Sequence, residues 1–586
     1  MIGLSVPCST SLLKNKNNVM EYRKDIDGLR AVAVLPALFF HAGFAGFSGG
    51  YVGIEIFFVV SVYLITNIIL SEQSKNRFSL LDFYERRARR ILPALTVVLL
   101  VTTVVAFILM PAYLLRWYSQ SLLYVSTFVS NIYFFYTTGY FSPAAGEKPL
   151  LHMWSLAVEE QYYFVYPLFI LLFAQFAKQN AKKYLSYSVI VIALMSLAFA
   201  HTLALLGEDK ANYYHTFSRT WELLFGAVIA FWAIDKKIYP QYLREFMCAL
   251  GFLMIAYAVV FFDQYTLYPS LLTLVPVLGT CFIIVFGSSN VSVSKLLSLK
   301  PVVLVGLMSY SVYLWHHPVY AFLRLKTIGD PEFEMFVFAV LLSIFLGYLT
   351  WRYVETPFRN KQKFSRKQIF SYALSSILFF SALGYAGQYF KGFKNRFSYE
   401  DYEESIKYSE KRGKCHTRGK NYLKPEDACE YFGEKVEWAV MGDSHTVEIA
   451  YQLAKKLEAD KVGIKHLSHS DCPPSLYFEV TNQGCTKWYL EALTFLENNP
   501  KIKSVFLTYR HSKFLFGEHP YAYPDLPDID PNTYFVRKSK LATSEQAREL
   551  YWKSFKDMIQ RLQDSGKTVY VLYPVPEIPV EFRKAI

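Results

Sequence analysis

Arg86-Arg87-Ala88-Arg89-Arg90 runs directly into Ile91-Leu92-Pro93-Ala94-Leu95-Thr96-Val97-Val98-Leu99-Leu100, and no charged residue follows until after Pro111. A bilayer crossing takes about 20 mostly apolar residues, and 91–111 meets that length. Lysine and arginine collect on the cytosolic side of such spans, so the four arginines mark the inner end.

Ten more runs of this kind precede residue 390: 27–46, 50–70, 153–175, 185–205, 219–234, 245–262, 267–287, 301–316, 335–354 and 369–387. The stretch 117–135 is aromatic but carries Ser, Gln and Asn, and is read as interfacial or re-entrant. With the N-terminus inside, the inner loops 71–90, 176–184, 235–244, 288–300 and 356–368 hold 19 Lys and Arg. The outer loops 111–152, 206–218, 263–266 and 317–334 hold 5. This asymmetry fixes the orientation and delivers residues 388–586 to the outside.

Composition agrees. Hydrophobic residues make up 53% and charged residues 19%, with 49 Phe and 45 Tyr. A disordered chain, a collagen and a coiled coil are excluded. The mean hydropathy of +0.19 is that of a membrane part averaged with a polar one. Much of the net charge of +13 is topology, so no nucleic-acid partner is expected. Residues 1–19 are mostly polar and no small-residue cleavage site precedes the first span. That span is therefore expected to be its own signal anchor, with Met20 a second possible start.

Four of the seven cysteines, Cys415, Cys429, Cys472 and Cys485, fall in the outer part. Their spacing suggests two short disulfide loops, paired by proximity.

The tail is a different fold. A strand at Val436–Met441 ends in Gly442-Asp443-Ser444-His445, and a helical pattern follows over 446–458. Apolar runs recur at 462–467, 503–509 and 568–573, with an amphipathic helix at 545–563. Strands alternating with helices predict a parallel α/β sheet. Ser444 sits where such sheets place active sites, near backbone N–H groups suited to an oxyanion. The plainer reading is a helix N-cap.

Polar residues inside the membrane part are costly and so informative. His41 follows Leu38-Phe39-Phe40, as a packed interfacial residue or as a base in a pore. Arg87 and Arg90 share a helix face and suit an anion clamp, alongside a topological role. Glu159 and Glu160 enter the fourth span, Arg219 and Glu222 open the sixth as a candidate ion pair, and Trp315-His316 closes the ninth. No metal is expected.

Tyr22 to Arg30 with His41, Arg87-Ala88-Arg89-Arg90-Ile91-Leu92-Pro93, the Trp154–Tyr163 block, Arg219–Glu222, Tyr313–His316 and Tyr353–Arg359 occur in this order. The ordered set resembles the acyltransferase-3 family of integral membrane acyltransferases over residues 20–360. Gly442–His445 resembles the first block of the SGNH hydrolase fold, often fused to that family.

The resemblance implies a polytopic α-helical membrane domain of about ten plus one spans, followed by an α/β/α SGNH-like domain. The expected boundaries are a cytosolic tail 1–20, a membrane domain 21–360, a basic loop and last span 361–390, a linker 391–430 and an SGNH-like domain 431–586. It implies an O-acyltransferase of the bacterial inner membrane, with its C-terminal domain periplasmic. Acetyl-CoA is the implied donor and lipopolysaccharide O-antigen, or a similar cell-surface glycan, the acceptor. Arg87 and Arg90 would contact the donor's phosphates, His41 would take part in transfer, and Ser444 would complete it. Asp27, Arg30, Glu55, Glu159, Glu160, Arg219, Glu222 and His316 are candidates to line the pore or acceptor site.

The sequence departs from the family in places. Glu55 stands where Asp is usual, and Ser61-Val62-Tyr63 replaces Ser-Gly-Phe, which predicts a narrower pocket or altered packing. No Asp-x-x-His follows Ser444 before residue 586, so the SGNH-like domain reads as C-terminally incomplete. Tyr509-Arg510-His511 occupies the region expected for the family's Asn block. Other readings are a peptidoglycan O-acetyltransferase, an enzyme whose tail only binds glycan, and a transporter; the last lacks the internal repeat usual there.

Overall fold

A computed structural model describes residues 22–138, 144–177, 181–232, 239–263, 265–327, 331–396, 409, 411–433, 435–480, 484–516, 535–536 and 544–572. The predicted tail 1–20 lies outside the described residues. The chain divides into two compact units, 1–398 and 399–586.

The first unit is helical. Its helices are α1 (Lys24–His41), α2 (Gly53–Ser74), α3 (Leu80–Leu109), α4 (Ala112–Ser126), α5 (Ser130–Thr137), α6 (Met153–Ala177), α7 (Ala181–Leu205) and α8 (Asp209–Tyr214). They continue with α9 (Thr216–Phe231), α10 (Gln241–Phe261), α11 (Leu274–Phe286), α12 (Ser292–Leu297), α13 (Lys300–Lys326), α14 (Phe333–Thr350), α15 (Thr356–Arg359) and α16 (Arg366–Tyr389).

Each of the eleven predicted runs falls on a helix. By length and composition, seven described helical stretches can cross a membrane: those containing α2, α3, α6, α7, α10, α14 and α16. The other four runs fall on α1, α9, α11 and α13. Three of these are short or interrupted by polar residues for a reason: they carry Asp27, Arg30 and His41, then Arg219 and Glu222, then His316. The segment expected to be interfacial or re-entrant forms α4 and α5, with α4 packed along α16.

Two helix ends differ from the sequence reading. The arginine cluster, expected in a loop, is inside α3, which starts at Leu80 behind the Ser79 N-cap. Buried Arg89 pairs with Glu85 one turn earlier at 2.8 Å, a spacing that supports a helix. The ninth span was expected to close at His316, but α13 continues through Pro318 to Lys326.

Close helix contacts depend on small residues, as is usual in membranes. Gly251 of α10 and Gly279 of α11 face each other, and a Cβ on either would come within 2.5–2.6 Å of the other's carbonyl oxygen. Gly306 of α13 packs so tightly on α1 that a Cβ would lie 1.7 Å from the Asp27 carbonyl oxygen. Val62 is fully buried in the main helical core, so the departure Ser61-Val62-Tyr63 acts on packing, while Ser61 faces the cavity described below.

Among the described residues, the second unit is built on a five-stranded sheet. In chain order its strands are β1 (Glu430–Tyr431), β2 (Lys435–Gly442), β3 (Val462–Ser468), β5 (Ser504–Thr508) and β7 (Thr568–Val571). A separate antiparallel pair joins β4 (Glu479–Val480) and β6 (Phe535–Val536). The spatial order is β1-β3-β2-β5-β7; β1 is antiparallel and the rest are parallel. The predicted strands and helices appear as β2, β3, β5, β7, Thr446–Leu457 and Ser544–Asp564. The helix Cys485–Asn498 was not foreseen.

Both proximity-paired disulfides are present, Cys415–Cys429 and Cys472–Cys485, each with 5.4 Å between Cα atoms. The first ties the stretch expected as linker to the sheet, and Thr417 bridges to His469 beyond β3. The chain from Cys415 onward therefore folds with this unit, earlier than the expected start at 431.

Candidate functional site

α1, α2, α3, α6 and α13 line a cavity. Arg30, Arg87, Arg90, Ser61, Ser155, Glu159, Tyr310 and Tyr313 line it, with Phe57 and Phe58 as its apolar wall.

The four arginines of the cluster divide cleanly. Arg86 reaches out to Glu72 at 3.0 Å. Arg89 is structural: besides Glu85 it donates to the carbonyls of Phe358 and Phe364 at 3.2 and 2.7 Å. Arg87 and Arg90, one turn apart, face the cavity. Arg87 pairs with Glu160 at 2.7 Å and lies 3.8 Å above the Tyr163 ring, whose hydroxyl donates to Glu159. Arg90 has no carboxylate within ion-pair distance among the described residues; its charged neighbours are Arg30, Arg359, Arg87 and Glu355. Among the described residues the ion pair of Arg30 is a long contact to Asp27, 3.4 Å. A guanidinium without a counterion in a lined cavity is a binding group for a carboxylate or phosphate.

Tyr313 forms the wall between this cavity and a second cluster. Its hydroxyl hydrogen-bonds Ser155 at 2.8 Å, and its ring lies 5.2 Å from His152 and 5.1 Å from His316. Beyond it four imidazoles gather. His41 is 5.3 Å from His316 and 5.5 Å from His317 between ring centres. His152 is 5.3 Å and 5.1 Å from the same two rings. The structure thus brings His41 and His316 together across 275 positions of sequence. His152 and His317 were not singled out from the sequence, although two adjacent histidines inside an apolar helix are a signal. Among the described residues, no three or more His, Cys, Asp or Glu side chains are arranged to hold a metal ion.

Glu55, Arg219 and Glu222 are set apart from the arginine cavity. Arg219 pairs with Glu55 at 2.6 Å and Glu222 at 3.1 Å, all fully buried. The Tyr268 hydroxyl bonds both Arg219 and Glu55, and the rings of Trp154 and Tyr268 lie 5.5 and 4.9 Å from the guanidinium. The predicted Arg219–Glu222 pair is present, but as part of a cage that fastens α9 to α2. Opening such a buried network by removing one partner costs about 3–5 kcal/mol.

In the second unit, Gly442 ends β2 and pairs with Ser468 on one side and Thr508 on the other. A Cβ at Gly442 would lie 1.8 Å from the Thr508 carbonyl oxygen, so the turn needs glycine. Ser444 therefore leaves the central strand at the C-terminal edge of the sheet, before the helix Thr446–Leu457. Asp443 is buried and accepts from the backbone N–H groups of His445 at 2.8 Å and Arg510 at 2.7 Å. Burial pushes its carboxyl up from the usual range.

No hydrogen bond reaches the Ser444 hydroxyl among the described residues. Four of this unit's histidines are otherwise engaged: His416 with Ser468, His466 with Tyr431 and Ser468, His469 with the Gly419 carbonyl, and His511 with Tyr551. Burial pushes His466 down to about 3 and His511 down to about 4, which makes both poor proton acceptors at neutral pH.

The acyltransferase domain model matches residues 23–352, and the model for the SGNH domain fused to such domains matches 414–586. The chain is 33% identical over 353 residues to the peptidoglycan O-acetyltransferase OatA of Listeria monocytogenes, covering 58% of this chain and 56% of that one. It is 32% identical over 371 residues to the putative peptidoglycan O-acetyltransferase YrhL of Bacillus subtilis, covering 60% and 58%. It is 30% identical over 354 residues to the O-acetyltransferase OatA of Staphylococcus aureus, covering 58% of each. The match thus spans little more than half the length of these relatives. No solved structure gives a significant match. With helices long and apolar enough to span a membrane and both domain models matched in order, the chain belongs to the acyltransferase-3 family and carries an SGNH domain of the kind fused to it.

Proposed function

We propose that this protein is a membrane O-acetyltransferase that takes an acetyl group from cytosolic acetyl-CoA and delivers it to a hydroxyl of a cell-surface glycan. The observation that carries this reading is the unpaired Arg90 in a cavity whose far wall, Tyr313, abuts the ring of His41's partner His316. Arg30, Arg87 and Arg90 fit the phosphates of the donor. The thioester carbonyl then lies toward Tyr313. The acceptor oxygen bonds the acyl carbon as its proton passes to His41, the C–S bond breaks, and the proton returns to the departing sulfur. On the outer side the Ser444 oxygen bonds the acyl carbon of that ester, the ester C–O bond breaks and the first acceptor's oxygen leaves with the serine proton; a sugar hydroxyl then displaces Ser444, which regains a proton. The names of the relatives favour peptidoglycan over lipopolysaccharide O-antigen as the acceptor.

Reconstituted full-length protein with radiolabelled acetyl-CoA tests this. CoA release and label transfer to peptidoglycan fragments are expected. Transfer to O-antigen polysaccharide alone would reverse the acceptor assignment, and transfer to neither would end the reading.

The arginine geometry gives a graded expectation. Arg90→Ala removes a charged hydrogen bond to the donor, worth about 1.5–3 kcal/mol, so KM for acetyl-CoA rises roughly 10–100-fold. Arg87→Ala does the same and also strands Glu160. Arg86→Ala loses only a part-exposed pair, worth about 0–1 kcal/mol. Equal KM values for all three variants would leave the cluster a topological role only.

The reading also needs the second unit outside, at the inner membrane of a bacterium, with eleven crossings. Cysteine placed at Lys75 is expected to resist an impermeant thiol reagent in intact cells stripped of outer envelope, and cysteine at exposed Lys487 to react. The opposite pattern would overturn the orientation.

A further inference from the structure

The histidine cluster contains one imidazole whose protonation is fixed by its surroundings. His316 Nδ1 lies 2.5 Å from the Tyr313 carbonyl oxygen. A carbonyl only accepts, so Nδ1 carries the proton and Nε2 keeps a lone pair. That Nε2 is buried and has no hydrogen-bond partner among the described residues. Both ring nitrogens of His152 and Nδ1 of His317 also lack a partner among the described residues, but in His316 the bond at Nδ1 fixes Nε2 as an acceptor, and a buried acceptor left unmet costs stability.

His41 poses the complementary problem. As the base it becomes an imidazolium in a half-buried site beside Arg324, and such a charge is stabilised by an acceptor. Its charged and titratable neighbours are His316, His317 and Arg324, with no carboxylate among them. Arg324 donates to the His41 carbonyl at 2.6 Å and adds positive charge. The other groups facing His316 are His152 from the segment entering α6, and Tyr313, His317 and Tyr320 on its own helix. Glu147 belongs to the turn packed on α13.

We propose that His316 is the positioning partner of His41: its Nε2 accepts the N–H of the His41 ring nitrogen opposite the one that takes the acceptor's proton, and so fixes the tautomer and holds the imidazolium during transfer. The role is that of the orienting carboxylate in a Ser-His-Asp triad, filled by a neutral imidazole. His316 gains and loses no proton; the proton taken by His41 returns to the leaving sulfur. The ring separation of 5.3 Å requires the two edges to turn together, as catalytic hydrogen bonds often tighten only with substrate bound. This rests on the proposed acyl transfer.

The test uses full-length protein in nanodiscs, acetyl-CoA as donor and an N-acetylglucosamine tetramer as acceptor. His316→Asn keeps an amide N–H for the Tyr313 carbonyl but places nothing at Nε2. Without its acceptor the His41 imidazolium is less stable, so His41 loses its proton at lower pH. The acid limb of the kcat/KM profile is then expected to move down by about one pH unit, with the plateau falling roughly tenfold. Acetyl-CoA affinity, read separately, is expected to stay at the wild-type value, which shows the arginine cavity intact. His317→Asn is expected to leave the limb in place. An unmoved limb in His316→Asn beside active wild type, or a shift in His317→Asn instead, would overturn the proposal. Wild type that neither binds acetyl-CoA nor transfers from it would overturn the underlying function, a distinct failure.

Discussion

His41→Ala is expected to insert and fold normally and to lose acyl transfer by about 10²–10⁴-fold, the usual contribution of a general base. The side chain ends α1 at the edge of the histidine cluster, and the contact that anchors this turn, from Arg324, is to the His41 carbonyl. Alanine keeps that carbonyl, so the fold loses only an imidazole. His41→Gln separates chemistry from hydrogen bonding: it keeps polarity but has no basic nitrogen. Both variants are expected to bind acetyl-CoA through Arg30, Arg87 and Arg90 as wild type does. Near-normal glycan acetylation by the Gln variant would make His41 a structural hydrogen-bonding residue.

Why the sequence led to His41 but not to its surroundings is a matter of range. Hydropathy and charge are read over twenty residues at a time, and they located every helix that carries a predicted run. Local pairs were equally legible: Arg219 and Glu222 are one turn apart, and Cys415 and Cys429 close a short loop. The Glu55 partner of Arg219 lies 164 positions away, and nothing in either segment names the other. The same holds for the His41 cluster, which draws on three distant segments. Helix ends were missed where polar residues belong to buried sites. The arginines of α3 and His316-His317-Pro318 of α13 look like boundaries because charge and proline usually mark them, yet here they are held inside by partners or by a cavity. In the second unit, strand–helix alternation was explicit, but Cys485–Asn498 buries Trp488, Tyr489 and Leu493 against the sheet while its polar residues blur the pattern.

Ser444→Ala decides what the second unit does. The backbone argues for a nucleophile: Gly442 allows the close turn, the serine stands at the C-terminal edge between two parallel neighbours, and Asp443 is tied down by two N–H groups. Against it, no described imidazole hydrogen-bonds its hydroxyl, and His466 and His511 are held neutral by burial. A serine attacking an acyl carbonyl must shed its proton, and loss of a triad member leaves only residual catalysis. If Ser444 carries the acetyl group, Ser444→Ala is expected to cut glycan acetylation by about 10³-fold or more, with acetyl-CoA affinity and the pH profile of CoA release unchanged. Those unchanged values belong to the membrane unit, so the variant tests the tail alone. A Ser444→Ala protein that acetylates glycan at the wild-type rate would make the tail a glycan-binding element, and the hydroxyl acceptor would then be met directly at the histidine cluster.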